Sequence, residues 1–76
     1  MLNYNLDSME AAGKLTRMCE KYKGQMEIDV ICGRQIIDAY SILGVHSLIG
    51  HIVSLEPQTD DTKVLAQFQE DLKEIS

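Results

Sequence analysis

Apolar and polar residues alternate at the start of the chain, with Leu2, Tyr4 and Leu6 separated by Asn3, Asn5 and Asp7. A period of two predicts a half-buried strand. The period then lengthens. Ala11, Leu15, Met18, Cys19 and Tyr22 fall at helical spacing, opposite Lys14, Arg17, Glu20 and Lys21. Asp7 or Ser8 could cap this helix, Glu10 adds a favourable charge in its first turn, and Gly24 is its expected stop. In "QMEIDVICGRQIID", Met26, Ile28, Val30 and Cys32 restore the period of two. Gly33 suits the positive φ of a turn, and Ile36 and Ile37 follow as a short third strand, so the pair is expected to be a hairpin. The run from Ser41 to Ser47, interrupted by Gly44, fits a two-turn helix. Ile52, Val53 and Leu55 predict a fourth strand ended by Pro57. Last, Val64, Leu65, Phe68, Leu72 and Ile75 form one apolar stripe on a charged helix, with Thr59 or Asp60 as its cap.

The predicted order is β-α-β-β-α-β-α. Each strand has one apolar face and each helix one apolar stripe. The solution that buries them all is an α+β open-faced sandwich, a four-stranded antiparallel sheet with three helices on one face. Residues 1–76 are expected to make a single domain, and one of this size buries only ~60% or slightly more of its unfolded surface.

Composition narrows the function classes. Seven basic and 12 acidic residues give a net charge of −5, with no basic cluster and no tryptophan. That disfavours nucleic acid and anionic membranes as partners. No run approaches the ~18 apolar residues of a membrane span, so no membrane insertion is expected, and the first residues do not read as a signal peptide. The expected location is the cytoplasm, where thiols stay free. Cys19, Cys32, His46 and His51 do not match a zinc-finger spacing, and neither a metal nor a cofactor is expected. Cys19 lies on the apolar stripe as a small hydrophobe. Neither histidine stands in an evident catalytic set, so the protein is expected not to be an enzyme.

The segment "EKYKGQMEIDVICGRQIIDAYSILGVHSL" and the last helix resemble HPr, the small phosphocarrier of the bacterial sugar phosphotransferase system. The resemblance runs from Leu2 to Ile75, although the link from Leu48 to Ile52 is shorter than is usual for that family. HPr proteins carry phosphate on a histidine that opens the first helix, in a Gly-x-His-x-Arg-Pro motif. Here Ser8 falls at the position of that histidine within a residue or so, Glu10 near the arginine and Ala11 near the proline. A serine is not a reversible phosphoryl carrier, and Glu10 would repel a phosphate. The resemblance therefore implies a retained fold with the carrier chemistry lost.

The family has a second site. In many HPr proteins a serine opening the short second helix is phosphorylated by a kinase, and the product binds a transcriptional regulator. Ser41 in "AYSILG" occupies that place, as a phosphorylation candidate or simply as a cap. By the same resemblance, Ile42 and Val45 turn inward, while Leu43, His46 and Ser47 lie on the exposed side where HPr meets its partners. The implied partners are phosphotransferase-system enzymes, a serine kinase or a transcriptional regulator, and the implied role is regulation by protein binding. Two alternatives stay open: a working phosphocarrier with a relocated histidine, and an accessory domain that binds protein through the open sheet face or the last helix.

Overall fold

The structure, a computed structural model, describes residues 2–76. The elements are β1 (Leu2–Leu6), α1 (Met9–Glu20), β2 (Glu27–Cys32), β3 (Gln35–Asp38), α2 (Ile42–His46), β4 (His51–Gln58) and α3 (Thr62–Ile75). This is the order that the hydrophobic pattern predicts. The strands form one antiparallel sheet in the order β1-β4-β2-β3.

The register explains why the sheet has one dry face. Tyr4 pairs with Val53, Leu2 and Val30 both pair with Leu55, and Val30 also pairs with Ile37. Residues opposite one another across a ladder share a face, so the alternation in each strand sums to a single apolar layer. Against it pack Ala12, Leu15, Met18 and Cys19 of α1, Val45 of α2, and Phe68 and Leu72 of α3. Tyr22, just past α1, meets Phe68 edge to face, with ring centroids 5.4 Å apart and planes at 68°.

Three boundaries differ from the sequence expectation. Pro57 does not end β4, which continues to Gln58 with Pro57 opposite Ile28. The β1–β4 register reaches only Leu2 opposite Leu55, so Pro57 lies beyond the described part of β1, where the absence of an N–H is tolerated. The cap of α3 is Asp61, not Thr59 or Asp60: its carboxylate accepts from the N–H groups of Lys63 and Val64, and Thr59 Oγ1 accepts from Asp61 N–H. Helix α1 ends at Glu20, and a turn bonded from Tyr22 and Lys23 back to Cys19 and Glu20 carries the chain to Gly24 at φ 89°.

A buried carboxylate was not foreseen. Asp71 of α3 is only 7% exposed. Tyr22 Oη donates to its Oδ2 at 2.5 Å, Gln67 Nε2 donates to its Oδ1 at 3.0 Å, and Lys21 Nζ lies 3.9 Å away. The Tyr22 bond, ahead of the others, holds the Asp71 carboxyl below its ordinary pKa, while burial pushes the Tyr22 phenol up. The network ties the end of α1 to α3 across the helical layer.

Candidate functional site

The start of α1 is built by a tight connection. β1 ends at Leu6, and two residues later Ser8, in extended conformation, caps the helix. Its hydroxyl oxygen accepts from Ala11 N–H at 3.1 Å. Tyr4 Oη donates to the Ala11 carbonyl at 2.8 Å and fixes the helix over the sheet. Glu10 reaches Lys14 at 3.6 Å. A groove of about 460 Å³ opens here, lined by Asp7, Ser8, Glu10 and Lys14 together with Ile75 and Ser76 at the end of α3. Backbone N–H groups and the helix dipole favour an anion at such a terminus. Asp7 and Glu10 act against one, and the single lysine already faces Glu10. Arg17 does not line this groove. Its guanidinium folds back over Gly13, where a Cβ would sit 3.2 Å from an Arg17 nitrogen, and it borders a separate crevice between α1 and α3.

Helix α2 opens at Ser41, whose exposed hydroxyl accepts from Gly44 N–H at 3.2 Å. Ser41 borders a groove with Lys23, Glu27, Asp38 and Tyr40, so one cation and two carboxylates surround it. At the other end Ser47 Oγ donates to the Gly44 carbonyl at 2.6 Å. His46 Nδ1 lies 2.8 Å from the Ile42 carbonyl oxygen. A carbonyl can only accept, so Nδ1 carries the proton and Nε2 is left as the free nitrogen.

The faces of α2 require one correction. Val45 is fully buried as expected, but Ile42 does not turn inward; it is 63% exposed. The inward line runs through Gly44, Val45 and Leu48. At Gly44 the helix lies so close to β3 that a Cβ would come 2.6 Å from Ile37 Cγ2. A backbone seated on Ile37 turns position 42 to the opposite side. The outer stripe is therefore Ile42, Leu43, His46 and Ser47. Leu43 is 86% exposed, Ser47 is exposed, and His46 is half-buried. The apolar part of this stripe is larger than the sequence reading expected, because Ile42 joins Leu43.

The helix ends are brought near each other by the short connection that follows α2. Gly50, at φ 104°, donates its N–H to the Leu6 carbonyl at 2.7 Å. His51 then opens β4 directly opposite Leu6, two residues before Ser8. The end of α2 thus abuts the end of β1, and α1 and α2 pack side by side. Neither histidine caps a helix. No group of three or more metal-ligating side chains occurs among the described residues, and no helix among them is long and apolar enough to cross a membrane.

By sequence, the chain matches no family profile and no curated protein. By structure, it superposes on HPr-C-His from Thermoanaerobacter tengcongensis with a TM-score of 0.69, over 97% of this chain and 91% of that one, at 19% identity. The architecture is therefore that of HPr: the same element order and the same open-faced α+β sandwich.

Proposed function

We propose that this chain is an HPr-like protein that does not carry phosphate on a histidine and acts in regulation by binding other proteins. The observation that carries the reading is Ser8 at the cap of α1. In the HPr proteins that the sequence resembles, the carrier histidine opens the first helix with an arginine beside it. Here the residue that opens α1 is a serine whose hydroxyl is engaged with Ala11 N–H, and the groove around it holds Asp7 and Glu10. A carrier needs a nucleophilic imidazole and cationic neutralisation of the phosphoryl charge, and this terminus supplies neither. The protein is accordingly read as a non-enzyme of cytoplasmic sugar-transport regulation.

The binding surface in this reading is the outer stripe of α2. Leu43 with Ile42 offers an apolar anchor, and His46 and Ser47 give polar contacts beside it. The partners implied by resemblance are phosphotransferase-system enzymes or a transcriptional regulator. Ser41 is the candidate for regulatory phosphorylation by a serine kinase. Its exposed hydroxyl and the nearby Lys23 favour that role, while Asp38 and Glu27 on the same groove oppose the added charge. Treatment with the family's kinase and ATP should add one phosphate at Ser41 by mass spectrometry; an unmodified Ser41 returns it to capping alone. Leu43→Glu should abolish binding to phosphotransferase-system partners, and retained binding would move the interface elsewhere.

One observation favours a second reading, a carrier with a relocated histidine. His51 lies opposite Leu6, at the same end of the sheet as Ser8. Incubation with phosphoenolpyruvate and the system's first enzyme separates the two. The first reading expects no acid-labile phosphoprotein; the second expects one that His51→Ala removes.

A further inference from the structure

The basic residues are unevenly divided between the sheet and the rest of the molecule. The four strands contain Glu27, Asp29, Asp38 and Glu56, and none of the seven lysines and arginines. Six of the seven lie in α1, in the turn after it, or in α3, and Arg34 lies in the β2–β3 turn. The register places the strand acids together. Asp38 of β3 is opposite Asp29 of β2, and Asp29 is opposite Glu56 of β4, so three carboxylates form one row across three strands. Glu27 lies two residues from Asp29 on the same face. This is the outer face of the sheet, since the neighbouring Ile28 and Val30 point into the core.

Like charges opposed on a sheet destabilise it. Among the described residues no ion pair relieves these acids. The relief comes from two neutral donors: Gln58 Nε2 donates to Asp29 Oδ2 at 3.2 Å and to Glu56 Oε1 at 3.3 Å, and the Tyr40 N–H donates to Asp38 Oδ1 at 2.9 Å. The next row on the same face runs Ile36, Ile31, Ser54 and Asn3, apolar at its β3 and β2 positions. Ile36 is opposite Ile31, and Ile52 lies diagonally across from Ile31 on β4. Ile36 is 66% and Ile52 70% exposed.

We propose that the outer face of the sheet is a docking surface for a basic segment of a partner protein, one that lays lysine or arginine over the Asp38–Asp29–Glu56 row and apolar side chains over Ile36, Ile31 and Ile52. Charge complementarity selects this occupant. A second copy applied face to face would oppose acids with acids, and an anionic membrane or a nucleic acid would be repelled in the same way. The surface lies on the opposite side of the sheet from α2, so it stands or falls separately from the reading given for that helix.

The test uses the whole chain and two synthetic peptides of equal charge, one alternating lysine with leucine and one alternating lysine with serine. Backbone amide resonances of isotope-labelled protein are followed during titration. The lysine–leucine peptide should shift Asp29, Ile31, Ile36, Asp38, Ile52 and Glu56, bind more tightly than the lysine–serine peptide, and weaken as salt is added. The double variant Asp29→Asn, Glu56→Gln should weaken binding about tenfold, equivalent to about 1.4 kcal/mol. It removes repulsion, so it should fold at least as well as the parent, and weakened binding cannot be ascribed to unfolding. Ile36→Ser should reduce the advantage of the leucine peptide. Equal binding of the two peptides, shifts centred on α1 and α2, or self-association of the free protein through this face would each overturn the proposal.

Discussion

Removing the Tyr22 hydroxyl, in Tyr22→Phe, isolates one interaction in the helical layer. The ring and its edge-to-face contact with Phe68 remain, and no cavity is created. What is lost is the 2.5 Å bond to Asp71 Oδ2, which leaves a nearly buried carboxylate with Gln67 Nε2 at 3.0 Å and a loosely placed Lys21. Hydrogen bonds to charged groups contribute ~1.5–3 kcal/mol, and the remaining oxygen is left short of a donor, so the expected loss is about 2 kcal/mol near neutral pH. In a domain of this size that lowers Tm by roughly 8–16 °C.

The pH dependence gives a second readout of the same bond. The folded-state pKa of Asp71 is depressed, chiefly by Tyr22. A depressed carboxylate contributes stability that is fully present above its unfolded pKa and is lost as pH falls through its folded pKa. Urea denaturation of parent and variant should therefore show the full gap near neutral pH and a narrowing gap below about pH 4. A gap under ~0.5 kcal/mol near neutral pH, or one that stays constant into acid, would refute the assignment of Asp71 as an ionised group held by Tyr22.

Other substitutions probe the remaining elements. Gly44→Ala gains up to ~1 kcal/mol of helix propensity but places a methyl 2.6 Å from Ile37 Cγ2 and 3.0 Å from Ser41 Oγ, so it should destabilise by about 1 kcal/mol in chemical denaturation, and a gain in stability would contradict the close approach of α2 to β3. Ser8→Ala removes the bond to Ala11 N–H and should lower stability by ~1 kcal/mol, whereas Ser8→Asp should keep the cap. Cys19, buried and with its pKa pushed up to about 12 mainly by that burial, should resist alkylation in the native protein under conditions in which the half-buried Cys32 is modified; comparable rates at the two thiols would contradict its burial.

Much of the architecture was legible because periodicity and burial agree along most of the chain. The alternation of Leu2, Tyr4 and Leu6 is the inner face of β1, and Leu15, Met18 and Cys19 are the inner stripe of α1. The cap at Ser8 was legible too, as one of two adjacent candidates. The misses occur where tertiary contact overrides local pattern. Ile42 reads as core by its type, yet the helix rests on the sheet through Gly44, and a glycine signals a close approach only once its neighbour is known. Pro57 normally ends a strand, but whether it is tolerated depends on how far β1 extends beside it. Asp71 reads as part of the charged face of α3; its burial depends on Tyr22, which is 49 residues away in sequence and carries no polar signal on its helical stripe. The row of carboxylates across β3, β2 and β4 likewise appears only when the register is set.

The proposed function requires that this chain carry no phosphate on a histidine, since α1 begins at the Ser8 cap and holds no histidine. Phosphorus-31 spectroscopy of the protein after incubation with phosphoenolpyruvate and the first enzyme of the phosphotransferase system tests it, with an authentic HPr as positive control in a parallel sample. A phosphohistidine signal is expected from the control and none from this chain. A phosphohistidine signal on this chain, abolished by His51→Ala or His46→Ala, would contradict it.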